Sequence, residues 1–186
     1  EIVNDQTDIA LALRNEIQKS GMRATIVESP TSQASQVIYL GGLRKIQNPE
    51  DAIHVNYQAF ELAKQIAPHF SQKGHLFVTI QDTGGDFGRS CESKRAWLAG
   101  LGGLAKTMGQ EWAHVRVKTI DLEQGGRNAQ EVAQVIVQEL LKGGSQEEVG
   151  LKLNGKRLTP ICFEEFASDS TQRIHQNSVL VVSGGA

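Results

Sequence analysis

Short apolar runs alternate with amphipathic helical segments along this 186-residue chain. Such alternation is typical of α/β folds in which a mainly parallel sheet carries helices on both faces. The predicted strands are 23–27, 37–40, 76–80, 115–122 and 149–153, preceded by the tail of a strand at 1–4. The predicted helices are 8–20, 48–67, 93–112 and 128–141. We therefore expect one α/β sheet layer enclosed by two helical layers.

Cap and turn residues mark several of these boundaries. Asn48 is a helix-capping residue, and Pro49 behind it occupies the first helical position, where proline is tolerated. The dipeptide Asn154-Gly155 separates 149–153 from a further apolar run at 157–161, which predicts a hairpin at the sheet edge.

Composition excludes several function classes. The chain has 19 Lys and Arg against 21 Asp and Glu, so it offers no basic surface for nucleic acid. It has no run of 18 apolar residues and no signal-like start, which predicts a cytoplasmic protein without membrane contact. The two cysteines, Cys91 and Cys162, stand far apart without a CxxC pattern, so we expect free thiols and no metal site.

The first strand-to-helix turn is the place where a dinucleotide-binding fold holds the pyrophosphate, and it needs glycines there for close backbone approach. The turn in this chain reads Asn4-Asp5-Gln6-Thr7-Asp8 and has no glycine. Its aspartates would repel a pyrophosphate. Asp5 and Asp8 could act as metal ligands, but capping of the first helix by Thr7 or Asp8 is the favoured interpretation.

Residues 100–123, GLGGLAKTMGQEWAHVRVKTIDLE, resemble a helix and the following strand of short-chain dehydrogenases/reductases. The matching positions are Gly103, Leu104, Lys106, Thr107, Glu111, Val115, Val117 and Ile120. In that family the helix carries a catalytic Tyr-x-x-x-Lys pair, which supplies the proton and holds the nicotinamide ribose. Family spacing places the tyrosine at Lys94 and the lysine at Leu98. Both catalytic residue types are therefore missing.

Nearly the whole chain resembles the structural subdomain of ketoreductases from polyketide synthases and multidomain fatty acid synthases. The most specific stretches are IQDTGGDFG at 80–88, AWLAGLGGLAKTMGQEW at 96–112, KTIDLE at 118–123 and VVSGGA at 181–186. The Glu-Trp helix end and the Asp-Leu-Glu strand end resemble iterative synthases of the polyunsaturated fatty acid and enediyne type. The resemblance implies a truncated, Rossmann-like half that binds no cofactor.

The same resemblance implies a division of the chain. Residues 1–163 would be the structural subdomain, 164–177 a linker, and 178–186 the first strand and opening glycine turn of the catalytic subdomain. Ser183, Gly184 and Gly185 match the start of the NADPH turn and are the candidate cofactor-binding residues, not functional by themselves. No catalytic or metal-binding residue is expected, and NADPH belongs to the parent reductase.

The implied role is to stabilise the catalytic half, which reduces β-ketoacyl thioesters to β-hydroxyacyl thioesters. The implied partners are that catalytic subdomain, neighbouring synthase domains and an acyl carrier protein. One alternative is a stand-alone short-chain reductase, disfavoured by the glycine-free turn, by Lys94 and Leu98, and by a short chain. Another is a non-enzymatic Rossmann-like interaction domain, including the receiver type that Asp5 at a strand end suggests.

The remaining polar and small residues have structural explanations. We expect Asp82 and Asp86 to lie in a glycine-turn connection rather than an anion or metal site. Lys106 should be solvated. The histidines, His54, His69, His75, His114 and His175, are expected at the surface, and Trp97 and Trp112 are expected to pack against the sheet or a neighbouring domain. The small residues Ala99, Gly100, Gly102, Gly103 and Ala105 predict close packing at an interface. An open apolar surface should involve their helix or the strand at 178–182.

Overall fold

The computed structural model describes residues 1–4, 6–70, 73–90, 94–164, 175–179 and 181. In chain order its elements are β1 (Ile2–Val3), α1 (Asp8–Lys19), β2 (Ile26–Val27), β3 (Gln36–Gly42), α2 (Pro49–Ile66), β4 (Leu76–Gln81), a 3-10 helix (Lys94–Ala99), α3 (Gly100–Glu111), β5 (Arg116–Leu122), α4 (Ala129–Lys142), β6 (Glu148–Leu151) and β7 (Arg157–Leu158).

These strands form one sheet in the order β2-β1-β3-β4-β5-β6-β7, parallel except for β7, which pairs antiparallel with β6. A Rossmann sheet has the strand order 3-2-1-4-5-6. When its third strand and one adjoining helix are removed, the remaining strands, numbered again along the chain, have the order seen here. The expected truncated, Rossmann-like α/β architecture is confirmed, as is the edge hairpin at Asn154-Gly155.

Helices cover both faces of the sheet, as the sequence predicts. The first face packs α1 and α4 over residues that include Leu13, Leu40, Ile80, Ile120 and Ile136. The second face packs α2 and α3 over residues that include Val37, Ala59, Phe77, Leu101 and Val117. Because all these side chains leave water, their burial is the main stabilising contribution to the fold.

The capping predictions are confirmed. Asn48 accepts a hydrogen bond from Asp51 N at 2.9 Å, and Asp51 closes a capping box at the start of α2. Thr7 caps α1 by accepting from Ile9 N at 3.2 Å. These caps satisfy backbone N–H groups that the first helical turn leaves without partners.

The prediction of one long helix over 93–112 is wrong. Residues Lys94–Ala99 form a 3-10 helix, and the α-helix begins only at Gly100. Leu98 at the end of the 3-10 helix and Leu101 at the start of α3 are both fully buried in the second core face.

Several strands are shorter than predicted. The run at 23–27 contributes only Ile26–Val27, because its neighbour β1 is itself two residues long and offers no further ladder positions. The run at 157–161 contributes only Arg157–Leu158. Ser178, Val179 and Val181 belong to no strand of the sheet, and the other residues of the predicted strand at 178–182 lie outside the described residues.

Candidate functional site

An open cleft of about 590 Å³ lies at the carboxyl ends of β1, β2 and β3. In open α/β sheets, ligands bind where neighbouring strands connect in opposite directions, and here β1 has β2 on one side and β3 on the other. The residues that line this cleft include Asn4, Gln6, Glu28, Arg44 and Gln58. This cleft is the place where a Rossmann-like fold would hold a dinucleotide.

The turn at the mouth of this cleft is closed by the chain's own hydrogen bonds. Asn4 Oδ1 accepts from Gln6 N at 3.0 Å, and Gln6 adopts a left-handed φ of +62°. The Thr7 side chain holds Ile9 N, so this amide at the start of α1 is already bonded. Asn4 Nδ2 donates to Glu28 Oε1 at 2.7 Å, which adds a carboxylate to the cleft. The residues present therefore do not fit a pyrophosphate group.

The remaining cleft residues also bond one another. Arg44 donates to Gln58 Oε1 at 2.5 Å and to the Asn4 carbonyl at 3.3 Å. The Tyr39 hydroxyl donates to the Val55 carbonyl at 2.9 Å, and burial raises the pKa of Tyr39 to about 12. Tyr39 is thus a neutral core residue, poorly suited to donate a proton near neutral pH.

The two positions at which the resemblance places the catalytic tyrosine and lysine lie in the 3-10 helix. Leu98, at the lysine position, is fully buried in the second core face. Lys94, at the tyrosine position, is the first residue of the 3-10 helix. Both tyrosines of the chain lie elsewhere, Tyr39 in β3 and Tyr57 in α2. An apolar residue therefore occupies the position of the general acid's cationic partner.

Arg95 covers the sheet edge next to this position. Its guanidinium donates to the carbonyls of Gly42 at 2.7 Å, Arg44 at 2.8 Å and Asp82 at 2.7 Å. Burial lowers the pKa of Arg95, and the negative charges of Asp82 and Asp121 oppose that shift. Arg95 therefore ties the ends of β3 and β4 together.

The DTGGDFG connection after β4 is organised by Asp121 at the end of β5. Asp121 is fully buried, and its two oxygens accept from Thr83 N at 2.7 Å and Phe87 N at 2.6 Å. Burial raises the pKa of Asp121, while hydrogen bonds from these backbone amides act in the opposite direction. Phe87 has a φ of +62°, which a non-glycine residue adopts only when its surroundings hold it there.

The same connection contains the glycine turns expected around Asp82 and Asp86, with Gly84, Gly85 and Gly88 at positive φ. Asp82 Oδ1 accepts from Gly84 N at 3.1 Å. Lys152 Nζ donates to the Gly84 carbonyl at 2.7 Å and lies 3.5 Å from Asp86 Oδ2 and 3.3 Å from Glu123 Oε2. Through these contacts Lys152 braces the turn after β4 against the end of β6.

Other predicted residues fall outside this region. His54, His69, His114 and His175 are exposed, whereas His75 is partly covered and its ring lies 4.8 Å from that of Phe70. Trp112 packs against Phe70 and Phe77 as expected, but Trp97 is largely exposed. Lys106 pairs with Glu148 at 3.3 Å. Cys162 is an exposed free thiol. Asp5, Cys91 and the candidate residues Ser183, Gly184 and Gly185 lie outside the described residues.

The small residues of α3 only partly form the predicted interface. A Cβ at Gly102 would lie 3.6 Å from Thr119, and one at Gly109 would lie 2.8 Å from Val117, so these glycines let α3 approach β5. A Cβ at Gly100 would meet Asn56 of α2. Gly103 faces open space. The close packing is therefore mainly internal to the fold.

Sequence reasoning missed Arg95, Asp121 and Lys152, which organise the carboxyl edge. Of these three residues, only Asp121 could have been found from the sequence. It stands at the end of an apolar strand, and a carboxylate that is buried there must have hydrogen-bond partners. In the described part of the chain, His, Cys, Asp and Glu form no group of three that could hold a metal ion. Across the same residues, no helix is both long and apolar enough to cross a membrane.

No protein-family model matches the sequence, and no curated protein matches it. Two crystal structures of a carbonyl reductase from Pseudomonas aeruginosa PAO1 are similar in fold, with TM-scores of 0.54 and 0.56 at 12% and 11% identity. Each match covers 84% of this chain and 97% of the reductase chain. The chain shares a Rossmann-like α/β fold with these structures.

A bulky-bulky ketone specific alcohol dehydrogenase from Comamonas testosteroni has a TM-score of 0.48 at 11% identity, over 79% of this chain and 73% of that chain. The carbonyl reductase match covers 97% of the reductase chain, so a chain of this length can hold nearly the same fold. The short length of this chain therefore does not distinguish a structural half from a stand-alone reductase. The residues at the candidate site are the better criterion.

Proposed function

We propose that this chain is the non-catalytic structural half of a β-ketoacyl reductase in a multidomain polyketide or polyunsaturated fatty acid synthase. In this role it stabilises a separate catalytic half, which binds NADPH and reduces β-ketoacyl thioesters. The fold similarity to a carbonyl reductase supports the reductase part of the proposal. The synthase context rests on the resemblance of the sequence motifs.

One observation carries the proposal: the chain's own packing occupies the cofactor and catalytic positions. Leu98 is a core residue at the family's lysine position, and Arg95 fills the adjacent strand ends with carbonyl hydrogen bonds. The glycine-free turn is closed by Asn4 and Thr7. A chain that keeps the sheet but uses its site for packing supports a structural role better than a catalytic one.

Apolar side chains near the end of the described chain offer a surface for the catalytic half. Ile161, Phe163, Val179 and Val181 are all strongly exposed. Burial of about 800 Å² would contribute roughly 20 kcal/mol before the ordering costs of association. Ile161 and Phe163 are our candidate contacts with the catalytic half, and Val179 and Val181 belong to the strand at 178–182 that the proposed division assigns to that half.

Cofactor binding tests the proposal directly. We expect no saturable binding of NADPH or NADH to the isolated chain, because the turn amides are already bonded and Glu28 adds negative charge. The measurement is nicotinamide fluorescence on titration, with an established NADPH-dependent reductase as the positive control. A Kd below about 100 µM, roughly 5.5 kcal/mol, would contradict the proposal.

Reconstitution tests the role itself. We expect co-expression of this chain with a catalytic ketoreductase half to raise NADPH-dependent reduction of a β-ketoacyl N-acetylcysteamine thioester by about a hundredfold or more. The physical reason is that the catalytic half otherwise leaves its docking surface in water. The chain alone should show no activity. Equal activity of the catalytic half with and without the chain would refute the structural role, and reduction by the chain alone would favour the stand-alone reductase.

A further inference from the structure

A cavity of about 200 Å³ lies at the amino-terminal edge of the sheet, on the face that α1 and α4 cover. The strands and the two helices both contribute apolar side chains to it, which are Ile2, Ile38 and Leu76 from the sheet and Ile17, Val137 and Leu140 from the helices. The cleft near Asn4 lies at the opposite, carboxyl edge. The cavity is therefore separate from the place where a Rossmann-like fold would hold a dinucleotide.

The inner wall of this cavity is apolar. Ile2, Ile17, Ile38 and Val137 line it, although each is at most 9% exposed. A water molecule inside a protein needs two to four polar partners, and these side chains offer none. Hydrocarbon that replaces water against such a wall is stabilised by the area it buries. The inner part of the cavity therefore favours an apolar group.

The mouth of the cavity is formed in part by Met22 and Leu141, which are 39% and 48% exposed. Gly21, with a φ of +80°, turns the chain behind α1 and is followed directly by Met22. Methionine is flexible and adapts to the shape of a bound group. The cavity is smaller than the roughly 300–1,000 Å³ of pockets for drug-sized ligands. A narrow, unbranched chain suits it better than a ring system.

Two arginines give the cavity a positive rim. Arg23 and Arg116 line it and are exposed, and within the described residues neither side chain has a hydrogen-bond or ion-pair partner. Glu1 is the acidic residue among the lining, and its carboxylate already accepts from Thr31 N at 2.8 Å and Thr31 Oγ1 at 2.7 Å. Guanidinium groups form strong, charge-assisted hydrogen bonds with carboxylates. The rim therefore favours an apolar ligand with an anionic end.

We propose that this cavity binds an unbranched, medium-chain fatty acid anion, with its alkyl chain between α1 and α4 and its carboxylate at the arginine rim. The site goes beyond the proposed function and does not depend on it. A structural half needs no ligand at the amino-terminal edge, so failure of fatty acid binding would leave the proposed function unaffected.

Calorimetric titration of the whole chain with octanoate tests the site. We expect one saturable site with a Kd below about 300 µM. The neutral alcohol 1-octanol has the same chain length but no charge, and it should bind about tenfold more weakly or less, because the arginine rim then has no anion to contact. Butanoate keeps the carboxylate but buries far less hydrocarbon, so it should show no saturable binding.

Methionine methyl signals show where octanoate binds. The chain has two methionines, Met22 at the cavity and Met108 in α3, which packs against the core on the opposite face of the sheet. With ¹³C-methyl-labelled methionine, the Met22 signal should shift on titration and the Met108 signal should not. Equal shifts of both signals would show non-specific association and would contradict the proposed site.

Substitutions separate the apolar and charged parts of the site. Leu141→Glu should weaken octanoate binding about thirtyfold or more, because it places a like charge at the mouth. Leu11→Glu is the matched control, since Leu11 is 47% exposed, against 48% for Leu141, but does not line the cavity. This control should bind like the wild type, and circular dichroism should show unchanged helix content in both variants.

The double variant Arg23→Gln/Arg116→Gln tests the rim. It should weaken octanoate binding about tenfold and leave 1-octanol binding within about twofold of the wild type, because only the charged end loses its partners. No saturable octanoate binding, equal affinities for octanoate and 1-octanol, or equal weakening by Leu11→Glu and Leu141→Glu would each overturn the proposal.

Discussion

Glu139→Ala is expected to lower the free energy of unfolding by about 3–5 kcal/mol, because the change leaves a buried cation without its partner. The Glu139 side chain is only 4% exposed and lies 2.8 Å from Lys118 Nζ. It also accepts from Arg157 Nε at 2.8 Å and Nη2 at 3.0 Å. This single carboxylate thus joins α4 to β5 and to the edge hairpin.

Urea denaturation measures this loss, with an unchanged m-value indicating a change of stability alone. Glu61→Ala is the matched control, since Glu61 also lies in a helix and pairs with a lysine at 3.0 Å, but at the surface. Exposed pairs contribute about 0–1 kcal/mol, so this control should change little. A Glu139→Ala loss within about 1 kcal/mol of the Glu61→Ala loss would show that the buried ion pair is not essential.

The same residue predicts an acid dependence. Burial alone would raise the pKa of Glu139, but hydrogen bonds and charges from Arg157 and Lys118 outweigh it and lower the pKa below its ordinary value of 4.5. A carboxylate with a lowered folded-state pKa contributes stability above its unfolded pKa and loses it as the pH falls through the folded pKa. The difference in stability between wild type and Glu139→Gln should therefore be constant near neutral pH and shrink below about pH 4.5.

Local sequence signals predicted the parts of this fold that depend on local physics. The helices α2 and α4 begin where Asn48 and Asn128 cap them, because capping needs only residues within one turn. Strand-length apolar runs predicted the sheet, because burial on both faces requires them. The ends of β2 and β7 were missed, because the length of an edge strand depends on how far its neighbour continues.

The site was predictable mainly in what it lacks. The missing glycines and the residue types at Lys94 and Leu98 can be read directly from the sequence. The contacts that replace a binding site cannot, because Arg95 reaches carbonyls as far as 53 residues away in the chain. Hydrophobic periodicity reports which face is buried, but not which polar side chains meet at the end of a sheet.

Gly85→Ala is expected to lower the free energy of unfolding by about 2–5 kcal/mol, more than the same change at the adjacent Gly84. Gly85 has a φ of +70°, which costs a non-glycine residue about 1–2 kcal/mol. Its Cβ would also lie 2.6 Å from the Leu151 carbonyl oxygen and 3.0 Å from Glu123 N. Glu123 N donates to that same oxygen at 3.0 Å, so the methyl group would push apart β5 and β6 and add about 1–3 kcal/mol.

Gly84→Ala is the matched control for backbone strain. Gly84 has a φ of +100°, but its Cβ would meet only Asp86 Oδ1 at 3.6 Å and Ser90 Oγ at 3.7 Å, which is ordinary contact. It should therefore cost only about 1–2 kcal/mol. Urea denaturation of both variants compares the two losses. Equal losses would mean that the DTGGDFG connection can move away from β6 at little cost. The carboxyl edge of the sheet could then open to admit a ligand, and a structural half does not require such an opening.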